Sequence, residues 1–250
     1  MFSLRRGYIL NLRYISLFAW YYGFRAVKRG PSYLISAMST PLALLFLIFI
    51  ISRGKLLDYA LVGGFIGLVS SVSLSSAGDA AFLRLQLRIQ DLFVATSISP
   101  TDYMFGLTLS YFVFSIPGLV VYVILGIIFH VFTFIGVLVL VAVLILLTIS
   151  TSSISFIVSG LISHVRNVWG IAGILSVVMT VLPPTFYPYY IIPKAFLYAL
   201  SVSPAASAAV IVQGAFGLSP ILMQMLYIFI LETIIYAFLG RVMIKWHSEE

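Results

Sequence analysis

The chain contains no cysteine, so disulfides and thiolate metal sites are excluded. Charge is almost as scarce. Only 8% of the 250 residues are charged, against about a quarter in soluble domains. No G-x-x-x-x-G-K-[ST] loop occurs, and no soluble stretch is long enough to fold a nucleotide-hydrolysing domain. If ATP drives this protein, a separate polypeptide binds it, and no cofactor is expected on this chain. His130 and His164 stand at opposite expected membrane faces without a nearby carboxylate or second histidine. That leaves no metal site, and no nucleophile–base pair at workable spacing is present either.

What is present is apolar. Hydrophobic residues make up 62% of the chain, in long continuous runs rather than short alternating ones. Backbone groups in lipid must be satisfied internally, and runs of this kind favour helices over a barrel. With about 20 apolar residues per crossing, the spans predicted are Tyr33–Ile51, Tyr59–Ala81, Phe105–Phe129, Phe134–Leu161, Val168–Leu182 and Pro220–Gly240. The fourth is long enough to require tilt. The segment Ile191–Val212 is apolar but interrupted by Pro193 and Pro204, which predicts re-entrant or interfacial helical pieces.

Charge bias orients the set. With six spans, one side carries Arg5, Arg6, Arg13, Arg25, Lys28, Arg29, Arg84, Arg88, Arg166, Arg241 and Lys245, and the other carries Arg53, Lys55 and Lys194. This asymmetry predicts a multi-pass protein of the cell membrane with both termini cytoplasmic. It also accounts for the net charge of +7 without a nucleic-acid partner. A seventh span would weaken the bias. Residues 1–30 read as a separate amphipathic helix in the membrane interface. Leu10, Tyr14, Leu17, Phe18, Tyr21 and Tyr22 recur at three- and four-residue spacing, and Gly30-Pro31 closes the helix. The whole chain, 1–250, reads as one domain.

One polar stretch needs a partner at the membrane surface. In the segment 81–103, Arg84, Arg88 and Asp91 fall at i, i+4 and i+7, one face of a helix. Leu85, Ile89, Leu92 and Phe93 form a neighbouring apolar face, and Ser99-Pro100-Thr101-Asp102 breaks and restarts the chain. Leu83, Leu85, Leu87 and Ile89 also alternate with polar residues, the period of a strand, but an isolated strand has no edge partner here. A short surface helix of this composition suits docking onto a second protein.

Within the expected bilayer, Glu232 is the costly residue. It is either a polar position in a transport path or a protonated acid bonded to a neighbouring helix through Gln224, a serine or a backbone carbonyl. Asp79 is expected to pair with Arg84 or Arg166. The serine runs Ser70–Ser76 and Ser150–Ser155 read first as helix-packing surfaces and second as the lining of a polar path. The outer aromatics Phe186, Tyr187, Tyr189, Tyr190, Phe196 and Tyr198, set among Pro188 and other prolines, read either as an exit path or as an interfacial belt.

In order, the chain shows an interfacial helix closed by Arg29-Gly30-Pro31, Gly63-Gly64 in the second span, and the Arg88–Pro100 stretch. Then come Pro183-Pro184-Thr-Phe-Tyr-Pro188-Tyr-Tyr-Ile-Ile-Pro193, Leu200-Ser-Val-Ser-Pro204 and a short charged tail. This order resembles the permease subunits of ABC-2 type exporters, the group that includes the daunorubicin-resistance permeases. The family commonly has a glycine or small residue where Pro183-Pro184 stands. The resemblance implies a half-transporter that pairs with a second permease copy, as a homo- or heterodimer, and docks a cytoplasmic ABC ATPase subunit. It implies a coupling helix at 84–101, with Arg84, Arg88, Asp91, Leu92, Ser99 and Pro100 at the contact. It further implies a flanking N-terminal helix and a re-entrant cap within 183–215. The cargo expected is a hydrophobic or amphipathic compound such as a drug, lipid or lipid-linked molecule. The rival expectations are an ion-coupled secondary transporter using Glu232 and a non-transporting membrane scaffold.

Overall fold

The computed structural model describes residues 10–88, 96 and 98–244, with backbone alone at 29, 31, 33, 34 and 37. Every regular element among them is helical. Helix α1 starts as Leu12–Phe18, widens into a π-helical turn at Ala19–Phe24 and ends as Arg25–Arg29. Asn11 caps it by accepting the Tyr14 N–H. Gly30 leaves helical geometry, and Pro31 opens α2, Pro31–Ile51. The fixed φ of proline and its missing N–H suit that first position.

Among the described residues, four helices are long and apolar enough to cross a membrane. They are α3, Leu57–Leu85, α4, Pro100–Ile128, α5, Phe134–Leu161, and α9, Met223–Met243. Helix α6, Val165–Val181, is apolar but shorter. The expected Ile191–Val212 segment is broken as its prolines require. A 3-10 turn at Tyr189–Ile191 precedes α7, Lys194–Leu200, and α8, Pro204–Ala215, with Pro193 and Pro204 at the two helix starts.

Helix α3 is the axis of the bundle, buried along most of its length and packed by α2, α4, α5 and α6. Glycines permit this, because a Cβ on Gly64 would fall 1.9 Å from the Tyr122 ring and one on Gly78 2.4 Å from Trp169. Helix α9 packs on α5 and α8, and α1 lies along α4.

Contacts separate two ends of the bundle. At one end Arg84 of α3 donates to the carbonyls of Ser159 and Ile162, at 2.6 and 3.1 Å. The Met243 carbonyl sits where a Cβ on Gly160 would be, and Tyr103 rings against Phe18 and Phe156. Helix α1, the end of α3, the start of α4 and the last turn of α9 therefore gather at this end. At the other, Tyr59 donates to the Leu218 carbonyl and Phe132 meets Phe216.

Candidate functional site

Among the described residues the expected helical face is interrupted between Arg84 and Arg88, and residues 89–95 and 97 of the connection between α3 and α4 lie outside them. Helix α3 continues through Arg84 and stops at Leu85, and Arg88 adopts a left-handed φ of 47°. That conformation does not propagate a helix of L-residues, so Arg84 and Arg88 do not share one continuous helical face. Arg84 is turned inward to the α5 carbonyls, while Arg88 is exposed. Asp91 and Leu92 lie outside the described residues.

The chain restarts at Ser99. Its hydroxyl accepts the Asp102 N–H at 3.1 Å, and Asp102 Oδ2 accepts the Ser99 N–H at 3.0 Å, forming a capping box with Pro100 at the first position. The other carboxylate oxygen reaches across the sequence. Asp102 Oδ1 accepts the Asn11 N–H at 2.8 Å, so one side chain caps the start of α4 and tethers the start of α1. The α1 aromatics Tyr14, Phe18 and Tyr22 stack along this contact, with centroids 5.4 and 4.5 Å apart. Burial pushes the Tyr14 and Tyr22 phenols above their usual range, so both stay protonated. Nothing in the spacing of Asn11 and Asp102 announced this bond.

At mid-depth a cleft of about 270 Å³ opens between α2, α3, α4 and α6. Ser36, Thr40, Ser71, Ser75 and Ser176 place hydroxyls in it, and no charged residue lines it. Helical period divides the first serine run. Ser71 and Ser75 face the cleft, while Ser70, Ser73 and Ser76 are buried. On the packed side, Ser155 of α5 donates to the carbonyls of Ser73 and Leu74, at 2.8 and 3.0 Å. The run therefore divides into a packed face and a face on the cleft. Asp79, one turn below, accepts the Tyr111 hydroxyl.

The outer segment is organised by Gln213, a residue the sequence did not single out. Its Nε2 donates to the carbonyls of Pro184 and Tyr187, at 2.7 and 3.0 Å. Its Oε1 accepts the Tyr189 N–H at 3.2 Å and the Ser219 hydroxyl at 3.3 Å. One fully buried amide thus satisfies the irregular backbone around Pro188. Phe186 and Tyr189 are buried in the bundle, and Tyr187 donates to the Leu182 carbonyl. Burial raises the phenols of Tyr187 and Tyr189, which keeps both as hydrogen donors. Tyr190 and Phe196 are exposed. The aromatics thus split between core and surface.

Glu232 lies half-buried on α9 with Oε1 accepting the Ser207 hydroxyl of α8 at 3.1 Å, while Oε2 is buried with no partner among the described residues. Gln224 is engaged elsewhere, receiving the Tyr198 hydroxyl. The structure thus brings together Asn11, Ser99 and Asp102 at one end and Gln213 with 184–189 at the other. Glu232 bonds Ser207 and Gln224 bonds Tyr198, outside these two hydrogen-bond groups.

Comparison with models of known protein families, with curated proteins and with solved structures gives no significant match.

Proposed function

We propose that this chain is the membrane-spanning permease subunit of an ATP-driven exporter of the ABC-2 type. In this reading a second permease copy completes the pathway and a cytoplasmic ABC ATPase supplies the energy. Six of the helices cross the membrane, namely α2, α3, α4, α5, α6 and α9, and both termini are cytoplasmic. Four of the six are long and apolar enough to span and α2 and α6 carry shorter apolar stretches, and the end gathering α1, Arg84 and Arg241 is rich in positive side chains, which supports this reading.

The observation that carries the reading is the Asp102 tether. Helix α1 and the restart of α4 are joined by the 2.8 Å bond from Asn11, so a push transmitted to Ser99 at the start of α4 is passed to α1 and α4 together. An ATPase docked there would move two elements of the bundle as one. The hydroxyl-lined cleft offers polar contacts at a depth where lipid offers none, as amphipathic cargo requires. Arg88 is the described residue placed to meet the ATPase, with Asp91 and Leu92 assigned to the same contact by resemblance.

The test is purification of the tagged chain from its native membrane in mild detergent, with its partners identified. A near-equimolar ATPase, lost when residues 86–98 are scrambled, is the expected result. A folded chain that carries no ATPase, and stimulates none, would overturn the reading. The buried, unpartnered Oε2 of Glu232 favours one rival, an ion-coupled transporter, in which transport without ATP would require that carboxylate.

A further inference from the structure

A second opening, of about 300 Å³, lies on the opposite side of the bundle from the hydroxyl-lined cleft. It runs between α4 and α9 with α5 as its floor. Thr101, Met104 and Phe105 line it from α4, Ile149 from α5, and Phe238 and Arg241 from α9. These residues recur at three- and four-residue spacing, so each helix gives the groove a whole face. Two polar members, Thr101 in the first turn of α4 and Arg241 in the last turn of α9, sit together at its mouth. Thr108, two turns further into α4, and Ser153 of α5 add hydroxyls to a lining whose other residues are apolar, and Phe105 and Phe238 are exposed.

The two ends of this groove differ in what they attract. Arg241 is exposed and makes no hydrogen bond or ion pair among the described residues. It stands beside the start of a 29-residue helix, where Pro100 has no N–H, the Ser99–Asp102 box uses two others, and the Thr101 N–H is left toward an anion. Asp102, in the same turn, has both carboxylate oxygens occupied by Asn11 and Ser99 and does not fill that role. An anion held at the mouth would have its attached apolar chain running down between Phe105 and Phe238. A free inorganic anion would gain nothing from that lower part, and a zwitterionic lipid would set its own cation against Arg241.

We propose that this groove binds one anionic phospholipid, with its phosphate at Arg241 and Thr101 and an acyl chain along Met104, Phe105, Ile149 and Phe238. The site is independent of the exporter reading and holds for any function of the bundle. Its arrangement follows from a cation at the headgroup level over an apolar channel, joined by two helix ends.

The full chain in nanodiscs containing phosphatidylcholine and phosphatidylglycerol, released into native mass spectrometry, tests this. The expected result is one retained phosphatidylglycerol in preference to phosphatidylcholine, with Arg241→Gln reducing that preference about fivefold, the effect of one surface cation. Arg53→Gln, at the other end of the bundle, should leave it unchanged. Phe238→Ala, which keeps the cation but shortens the channel wall, should also weaken retention. Equal retention of the two lipids, or a preference indifferent to Arg241→Gln, would overturn the proposal. Displacement by millimolar inorganic phosphate would overturn it too, by showing a site for the free anion.

Discussion

The Thr185 carbonyl oxygen stands 2.0 Å from the point a Cβ on Gly63 would occupy. The outer segment therefore rests on bare backbone of α3. Gly170 is the opposite case, a helical glycine with nothing within 4 Å of its missing Cβ. Gly63→Ala should destabilise the protein by about 1–3 kcal/mol, because the clash is with backbone that cannot rotate away. Gly170→Ala should be neutral or stabilising by up to about 1 kcal/mol, the helix preference of alanine. Thermal unfolding of the two variants in one detergent checks both, and equal midpoints would contradict the close approach at Gly63.

Gln213 is the next position to test. Gln213→Leu keeps the bulk but leaves two carbonyls and one N–H unpaired in a buried site, at about 1–3 kcal/mol for each lost partner. Gln213→Glu keeps the acceptor for Tyr189 and loses both donated bonds, so it should also lower the unfolding temperature. An unchanged midpoint in both variants would show that the outer segment is held by something else.

The lack of cysteine makes the cleft directly measurable, since any introduced thiol is the sole one. Ser71→Cys and Ser176→Cys should react with a small hydrophilic maleimide in membranes. Ser73→Cys, buried against α5, should react at least about tenfold more slowly, as expected for a thiol held away from water. Equal reactivity at 71 and 73 would remove the division of the serine run into two faces.

Glu232→Gln preserves the oxygen that accepts the Ser207 hydroxyl. Stability should therefore remain within about 0.5 kcal/mol of the parent, and under the proposed exporter function transport should remain near the parent's as well. Loss of transport with stability intact would favour the ion-coupled rival.

Much of this architecture is legible in the residues, for identifiable reasons. Apolar runs long enough to cross lipid have few alternatives to helix, so Phe134–Leu161 emerges with the bounds its hydropathy suggests. Prolines at 31, 100, 193 and 204 mark helix starts because each fits the opening of a helix better than its middle. The site was less legible. A helical face through Arg84, Arg88 and Asp91 assumes that the helix continues, and periodicity cannot see the Arg84 bonds or the left-handed Arg88 that mark its end. The Asn11–Asp102 and Gln213 bonds span 91 residues and up to 29 residues of sequence, respectively. A lone glutamine after a proline-broken, unpaired backbone was the available signal for the second. For the first, the sequence held none beyond the Ser99 cap.

Ser155 reaches two successive carbonyls of α3, and that bond has a mechanical consequence. It pins α3 to α5 at the level where the cleft opens on the opposite face of α3. A widening of the cleft that kept this bond would carry α3 and α5 together, so the wall bearing Ser71 and Ser75 would move only with α5.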